Sequence, residues 1–219
     1  WTDRIPNITL ADDFTSDGRP IRGVRWWGSQ LDPTSPPDGW FISFHEPLVV
    51  AQPPGTSLGV YFCAADNVAV SPTPIPVCDP PHAVIGYEVS LADCCLLQAH
   101  ADSRGTFVPA QAAGFFEELC LDYEIGIQAV VGVRYDAAPL TGDCIETLTG
   151  RSDDGDFWGW HSTANAHGAH AAFSSAVTTS GGDWLYGPWD PVVPVCPSAG
   201  LAFELVTTTP AGEDHTVLW

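Results

Sequence analysis

The sequence contains no lysine and no methionine, and its seven arginines stand against 27 acidic residues. The formal net charge is therefore -20 at pH 7. Binding to nucleic acid or to an anionic membrane surface needs clustered lysine or arginine, and the sequence has no such cluster. It also lacks an apolar run of the roughly 18 residues that a transmembrane helix requires. The composition excludes nucleic acid as a partner and predicts no membrane insertion.

The chain also lacks the C-x-x-C spacing that zinc ribbons and thioredoxin-type redox motifs use. Scattered cysteines in an acidic, lysine-free chain are typical of the disulfides of exported proteins. We therefore expect a secreted, extracellular or cell-surface protein, and a start at Trp1 favours a processed form of a longer precursor. The adjacent Cys94 and Cys95 are expected to bond two different partners on opposite sides, and the odd count leaves one cysteine over. The seven candidates are Cys63, Cys78, Cys94, Cys95, Cys120, Cys144 and Cys196.

Glycine and proline are abundant, at 21 and 20 residues, which favours many short strands and tight turns over long helices. The alternating patterns predict an all-β chain, an antiparallel β-sandwich of jelly-roll type stabilised by disulfides. No repeat or composition break divides residues 11–219, which we take as one domain. Residues 1–10 are expected to be an extended arm, because Pro6 bars a regular helix. The predicted strands are Ile21–Gly28, Trp40–Glu46, Leu58–Ala64, Val84–Leu91, Ile125–Tyr135, Phe157–His161, Ala169–Val177 and Leu201–Thr208.

The most informative segment is the strand that contains the tandem Trp26 and Trp27. Side chains alternate between the two faces of a strand, so two adjacent tryptophans cannot both enter one core. We assign Trp26 to the core, and Trp27 is then covered by its own chain, by a sugar or by a neighbouring subunit. If the next predicted strand paired with this one, a mixed aromatic and basic patch would form from Arg25, Trp27, Phe41 and His45. The alternative, which we favour, is that a second layer or a long loop covers those side chains.

No motif carries a strong catalytic signature. Gly55–Gly59 reads G-x-S-x-G, but a nucleophile elbow needs a strand before it and a helix after it. Here two prolines come first and a predicted strand follows, so the context is wrong on both sides. A secreted hydrolase would need a cleft with perturbed carboxylates or histidines. We predict no enzymatic activity and no certain cofactor.

A calcium site is one prediction for the acid-rich turn near residue 155, because carboxylates at a surface bend are the hard oxygen ligands that calcium prefers. The alternative is that these side chains bond their own backbone in the turn. The stretch His161–His170 follows, with three imidazoles of the type that zinc and other transition metals bind. For that stretch we favour a histidine-bearing surface loop. The predicted calcium ligands are Asp153, Asp154 and Asp156.

Several blocks resemble a family of uncharacterised secreted bacterial domains that are frequent in planctomycete-type genomes. The most specific are Trp-Trp-Gly-Ser at 26–29 and Trp-Gly-Trp at 158–160, and the resemblance spans most of the chain in the same order. The resemblance implies a secreted, all-β, sandwich-like domain without known catalytic residues. The chain departs from the family in the small-residue and histidine stretch Ser162–Ala172. Further similar blocks are Ala11–Phe14, Phe41–His45 and Leu201–Leu205.

For function we predict a non-enzymatic extracellular structural protein, a subunit of a filament, tube or surface layer that assembles with copies of itself. An arm such as Ile5–Leu10 that adds a strand to a neighbour's sheet would give head-to-tail polymers. The alternative is a carbohydrate-binding, lectin-like module that holds a polysaccharide on flat aromatic rings. The candidate interface and sugar-stacking residues are Ile5, Ile8, Leu10, Arg25, Trp27, Phe41, His45, Trp184, Tyr186 and Trp189.

Overall fold

The structure is a computed structural model that places short strands along most of the chain. It describes residues 8–16, 18–30, 36–46, 54–72, 84–100, 107–110, 113–116, 122–138, 141, 143–149, 158–163, 171–174, 177–180, 183–192, 200–208 and 214–218. The only helical segments in these ranges are the 3₁₀ turns Ala65–Asn67 and Leu91–Asp93. No helix in this part of the chain has the length and hydropathy of a membrane span.

The strands are numbered in chain order. The first half holds β1 Thr9–Thr15, β2 Ile21–Gln30, β3 Gly39–His45, β4 Ser57–Ala64, β5 Ala69–Pro72, β6 Ile85–Ser90, β7 Cys95–Ala99, β8 Phe107–Ala110 and β9 Ala113–Phe116. The second half holds β10 Asp122–Val130, β11 Val133–Ala137, β12 Cys144–Leu148, β13 Trp158–Trp160, β14 Ser162–Thr163, β15 Ala172–Ser174, β16 Val177–Ser180, β17 Asp183–Tyr186, β18 Trp189–Pro191, β19 Gly200–Leu201, β20 Phe203–Thr208 and β21 Asp214–Leu218.

Two large antiparallel sheets form the sandwich. In the first sheet the strand order is β18-β15-β1-β10-β3-β4-β7, and in the second it is β21-β20-β2-β6-β5. The hairpin β8–β9 and the short β13 attach to β2 in the second sheet. This confirms the predicted all-β, antiparallel, disulfide-stabilised class, and the jelly-roll connectivity stays a prediction.

The core lies between the sheets and is rich in aromatic rings. Trp26 of β2 is fully buried, stacks on Tyr87 at 5.4 Å between ring centroids, and meets Trp40 of β3 edge-on at the same separation. Trp158 also packs edge-on against Trp40, at 4.8 Å between ring centroids. The assignment of Trp26 to the core is therefore confirmed, and the alternation of side chains along a paired strand explains it.

A further layer covers part of the outer face of the first sheet. The hairpins β11–β12 and β16–β17 pack there on a second apolar cluster that includes Phe41, Val60 and Phe62. The disulfide Cys95–Cys144 ties β7 to β12 on this side, whereas Cys63–Cys94 joins β4 to the turn before β7. The two neighbouring cysteines thus have different partners in different clusters, as predicted.

Three details correct the predicted strands. The predicted strand Ile125–Tyr135 is two strands, because Gly132 between them adopts a left-handed φ of 84°. Similarly, β15 and β16 replace the single strand predicted at Ala169–Val177. The last two residues assigned to the arm, Thr9 and Leu10, belong to β1; Thr9 pairs with β15, and Leu10 pairs with both β10 and β15.

Candidate functional site

The outer face of the first sheet carries a line of three titratable side chains on adjacent strands. Asp13 of β1 lies directly opposite Glu124 of β10, and Glu124 lies directly opposite His45 of β3. Directly opposed residues of an antiparallel pair have Cβ atoms about 5 Å apart. We call Asp13, Glu124 and His45 the acid–histidine row. Ordinary strand alternation places it there, because the side chains one position away on each strand enter the core.

Burial suppresses the charge of two members of the row. Desolvation lowers the pKa of His45, which has no exposed surface, to about 4, and the nearby Gly55 backbone opposes that shift. Desolvation and then the charge of Asp13 raise the pKa of Glu124 to about 8. At neutral pH both side chains are therefore held mainly in their uncharged forms.

The segment Asp183–Pro191, which contains β17 and β18, covers His45 at one end of the row. The rings of Tyr186 and Trp189 stack on each other at 6.0 Å, and both stand perpendicular to the imidazole of His45, at 4.9 and 5.4 Å. Trp184 packs edge-on against Phe41 at 4.7 Å. Burial raises the pKa of the Tyr186 phenol above its ordinary value, and the Ser43 side chain opposes this shift.

Hydrogen bonds also hold the segment Asp183–Pro191 against the first sheet. The Trp184 N–H donates to the Gln98 side chain, and its carbonyl accepts from Ser57 Oγ at 3.3 Å. Further along, the Gly187 N–H donates to Ser174 Oγ at 3.0 Å. Gln98 is itself fixed, because its Nε2 donates to Ser57 Oγ at 2.7 Å and to the Ser57 carbonyl at 2.8 Å. The segment is thus held by side chains of β4, β7 and β15 as well as by its rings.

Ser43 and His45 have the chemical make-up of a nucleophile and a base. Ser43 Oγ and His45 Nε2 share a hydrogen bond of 2.8 Å, and an uncharged imidazole is able to accept a proton. The two side chains are 1% and 0% exposed, so no reactant reaches them while the segment is in place. The hydrogen bond gives the Ser43 hydroxyl and one nitrogen of the buried imidazole a partner in each other.

A second serine–histidine pair lies beside the tandem tryptophan. Ser29 Oγ and His161 Nε2 are 2.6 Å apart and both residues are buried. The His161 N–H donates to the Trp27 carbonyl at 2.9 Å, and the Trp27 N–H donates to the Ala202 carbonyl at 3.2 Å. Trp27 is only 9% exposed, so its own chain covers most of it. This favours the first of the three alternatives that the sequence left open.

Asp12 is a further buried acid, but it points between the two sheets. One of its carboxylate oxygens accepts a hydrogen bond from the Leu201 N–H. Burial raises the pKa of Asp12 well above its ordinary 3.8, and the bond from Leu201 opposes that rise. Asp12 therefore joins β1 to the short strand β19 across the interior.

The edge strand β5 differs from all of these features because its residues are exposed to solvent. Its four residues are exposed, Val70 by 61%, and it pairs with β6 on one side. No strand among the described residues pairs with its other side. Val70 lies directly opposite the buried Tyr87, so it continues the core face of the sheet beyond the edge of the sandwich. The strand Ala-Val-Ser-Pro carries no charge, which is one of the usual protections of an exposed edge.

The structure separates the predicted aromatic and basic patch. β3 pairs with β4 and β10 rather than with β2, because it belongs to the other sheet. Arg25 and Trp27 therefore lie in the second sheet, and Phe41 and His45 lie under the outer layer of the first. Arg25 is held between Glu88 and Glu204, with nitrogen–oxygen distances of 2.9 and 2.6 Å.

The remaining predicted residues fall into two groups. Ile8 packs against the core, Leu10 is buried, and Trp184, Tyr186 and Trp189 are half-buried with their rings directed at the sheet. The others lie outside the described residues, namely Ile5, Cys78, Cys120, Cys196, the calcium candidates Asp153, Asp154 and Asp156, and the histidines His167 and His170. Within the described part of the chain, no three His, Cys, Asp or Glu side chains are arranged to hold a metal ion.

The chain matches no protein-family model, no curated protein and no solved structure. The resemblance to secreted bacterial domains therefore stays a prediction. Function must be inferred from the geometry alone.

Reasoning from sequence missed two parts of the site. Glu124 drew no attention, because its raised pKa comes from burial and from Asp13, which becomes its neighbour only through sheet pairing. The exposed edge strand β5 was missed because the segment Ala69–Pro72 has few apolar residues and closely follows a predicted strand. An available signal was Ser43-Phe-His45, where alternation puts both polar side chains on the face that the core does not use.

Proposed function

We propose that this chain is a non-enzymatic structural subunit of an extracellular assembly, a filament, tube or surface layer. Copies associate when β5 of one copy accepts a strand from the next. The observation that carries the proposal is the exposed, uncharged edge strand β5, in which Val70 is 61% exposed. An exposed edge with unpaired backbone groups is a template for strand addition.

Comparison with the two edges of the first sheet supports the choice of β5. At the edge of the first sheet, β18 is three residues long and carries Asp190 and Pro191, which both discourage pairing. At the opposite edge, the Cys95–Cys144 disulfide holds the β11–β12 hairpin against β7. The four residues of β5 carry no charge, and its proline, Pro72, is the last residue of the strand. Neither disulfide of the described residues joins another strand to β5.

The segment that precedes β1 is the proposed donor strand. Thr9 pairs with β15, and Leu10 pairs with both β10 and β15, within their own chain, so we take residues 1–7 rather than Ile5–Leu10 as the donor. If Ile5 packs beside Val70, alternation places Arg4 on the opposite face, where the acidic Glu88 of β6 is half exposed. A donor and an acceptor on different parts of the molecule give head-to-tail contacts, which continue into polymers.

The burial of Ser43 and His45 supports a non-enzymatic role, because a nucleophile without exposed surface meets no substrate. The half-buried Trp184, Tyr186 and Trp189 stack on the sheet and on each other rather than as an open platform, which weighs against the carbohydrate-binding alternative. The two disulfides are compatible with an extracellular protein, and we propose that the chain is secreted.

Net charge gives the assembly a characteristic dependence on salt. Copies with a charge of -20 repel each other, and added salt screens that repulsion. The Debye length falls from roughly 30 Å at about 0.01 M to roughly 3 Å at about 1 M ionic strength. Association between copies should therefore strengthen with sodium chloride, whereas binding to a basic partner should weaken.

The test compares Val70→Lys with the matched control Leu185→Lys and with a chain that lacks residues 1–7. Leu185 is a similarly exposed apolar residue, at 50%, on a different surface. Sedimentation velocity and negative-stain microscopy across that salt range should show polymers for the parent and for Leu185→Lys. Val70→Lys and the shortened chain should stay monomeric.

Two results would overturn the proposal: a parent protein that stays monomeric at high concentration in every salt condition, or equal losses from Val70→Lys and Leu185→Lys. Circular dichroism of each variant verifies that the monomer is folded. A glycan array with the parent protein tests the carbohydrate-binding alternative, and a saturable polysaccharide ligand would favour it.

A further inference from the structure

A threonine and a glutamine form a buried cross-strand pair inside the first sheet. The Thr9 hydroxyl donates to Gln128 Oε1 at 2.7 Å. The two residues are 1% and 4% exposed, and their strands β1 and β10 each have a neighbour on both sides. The register, in which Leu10 lies opposite Ile127, places Thr9 level with Gln128. The hydroxyl is therefore held against the carboxamide and away from solvent.

This contact places a nucleophile beside an acyl carbon. A C=O bond is about 1.23 Å long, so Thr9 Oγ1 lies within about 4 Å of Gln128 Cδ. Reacting atoms in a near-attack geometry are about 3–3.5 Å apart, which a small side-chain rotation provides. The chain has no lysine, so no lysine amine is present to form an isopeptide bond instead. A hydroxyl is the nucleophile that this buried pair offers.

The missing side chain of Gly126 brings a hydroxyl–imidazole pair close to Thr9. A Cβ at Gly126 would lie 3.1 Å from Thr9 Cγ2. The same atom would lie 2.5 Å from Ser43 Oγ and 3.3 Å from His45 Nε2, which are themselves hydrogen-bonded at 2.8 Å. Burial lowers the pKa of His45 to about 4, so its imidazole is uncharged at neutral pH and has a lone pair for a proton. Proton-transfer groups thus surround the space beside Thr9.

We propose that Thr9 and Gln128 form an intramolecular ester bond, which is a covalent cross-link between β1 and β10. Thr9 Oγ1 loses its proton and bonds to Gln128 Cδ, and the bond from Cδ to Nε2 breaks. The hydroxyl proton passes through the Ser43–His45 pair to the departing nitrogen, which leaves as ammonia. The reaction needs no oxidant, reductant or second substrate. Burial then protects the ester from hydrolysis, because water is excluded from the pair.

The cross-link lies at the base of the proposed donor strand. Residues 1–7 precede β1, so a force on a donor held by the next copy is transmitted to β1. An ester at position 9 carries that force through a covalent bond into β10, in the interior of the first sheet. This mechanical benefit rests on the proposed assembly, whereas the formation of the ester within one chain does not. A reaction within one chain also needs no access for an external substrate.

A serine–glutamine pair elsewhere on the same sheet provides a matched control. Gln98 Nε2 donates to Ser57 Oγ at 2.7 Å, and Gln98 Oε1 accepts from the Trp184 N–H. Ser57 Oγ in turn donates to the Trp184 carbonyl at 3.3 Å. Ser57 and Gln98 are buried like the first pair, but here the hydroxyl contacts the amide nitrogen rather than the carbonyl oxygen. We therefore expect no ester between them.

Intact mass spectrometry of the reduced and denatured parent protein tests the cross-link. The mass should be lower than that of the sequence by one ammonia molecule. Digestion at arginine under reducing conditions should give one pair of peptides joined at Thr9 and Gln128. Mild hydroxylamine should separate the pair, because it cleaves esters and leaves peptide bonds intact.

Substitutions assign the reaction to its groups. Thr9→Val keeps the branched shape without the hydroxyl and should abolish the loss of ammonia, whereas Ser57→Ala should leave it complete. The rate is measured in protein refolded from denaturant before any cross-link has formed. Ser43→Ala should slow the reaction about 100-fold, since proton transfer by a positioned group contributes about 10²–10⁴-fold. Circular dichroism verifies that each variant is folded.

The ester is wrong if the folded parent keeps the full mass of the sequence, because Thr9 and Gln128 then share only a hydrogen bond. It is also wrong if Thr9→Val loses the same ammonia. A parental rate in Ser43→Ala would overturn the proton relay. A parent that is cross-linked but always monomeric would reject the assembly proposal and leave the ester intact. Polymers of full-mass chains would do the reverse.

Discussion

The outer faces of the two sheets differ in how far other segments of the chain cover them. On the first sheet, hairpins and the segment Asp183–Pro191 cover the outer face, and buried Glu124 and His45 lose their charge. On the second sheet, Arg25 stays charged between Glu88 and Glu204 at the surface, and β5 is uncovered. The difference shows that burial, rather than residue type, raises the pKa of Glu124.

The comparison is sharpest at two apolar side chains. Phe41 is 8% exposed and packs against the rings of Trp184, Phe62 and Tyr135. Val70, on the edge strand β5, is 61% exposed. Phe41→Ala should lower the free energy of unfolding by about 3–5 kcal/mol, since it leaves a cavity beneath the layer. Val70→Ala should change it by no more than about 0.5 kcal/mol. Urea unfolding of both variants measures the difference, and equal losses would contradict the layered interpretation.

Removal of the disulfide that holds the outer layer should have the next largest effect. The double variant Cys95→Ser with Cys144→Ser frees the β11–β12 hairpin from β7. We expect a loss of about 2–4 kcal/mol in the free energy of unfolding and faster hydrogen exchange in residues 133–148. The second sheet should keep its protection, and a uniform loss across both sheets would show that the hairpin is not a separate layer.

Replacing glutamate by glutamine in each region should give opposite results. Glu124 is destabilising wherever it must ionise, because its pKa in the folded chain is raised to about 8. The stability of Glu124→Gln relative to the parent should therefore increase by about 1.4 kcal/mol for each pH unit between 6 and 8. Glu88→Gln loses an exposed ion pair with Arg25 and should cost at most about 1 kcal/mol at any pH. Thermal unfolding of both variants and the parent at several pH values measures these differences. If the stability of Glu124→Gln and of Glu88→Gln varied with pH in the same way, the predicted difference between the two sites would be wrong.

The last comparison is between a glycine of each sheet. A Cβ at Gly126 would lie 2.5 Å from Ser43 Oγ and 3.3 Å from His45 Nε2, whereas one at Gly159 meets nothing within 4 Å. Gly126→Ala should cost about 1–3 kcal/mol by displacing the Ser43–His45 hydrogen bond. Gly159→Ala should be close to neutral, and chemical unfolding distinguishes the two.

Local patterns predicted much of the fold correctly. Strands β2, β3, β4 and β6 lie within one or two residues of their predicted bounds, because each alternates or presents a dense apolar run. Short strands such as β12 and β18 were missed, since three to five residues hold too little pattern. The break at Gly132 was also missed, because only its backbone angle reveals it.

The sequence by itself determined the all-β class, the core position of Trp26, the divergent bonding of Cys94 and Cys95, and the acidic character that repels polyanions. These follow from composition and from the strict alternation of side chains along a strand. Only the tertiary structure decided that Trp27 is mostly covered by its own chain and that β5 is an exposed edge strand. It also decided that Asp13, Glu124 and His45 lie directly opposite one another on adjacent strands. The reason is that pairing between distant strands decides which side chains are neighbours. The packing of the layers then decides which of those side chains stay exposed to solvent.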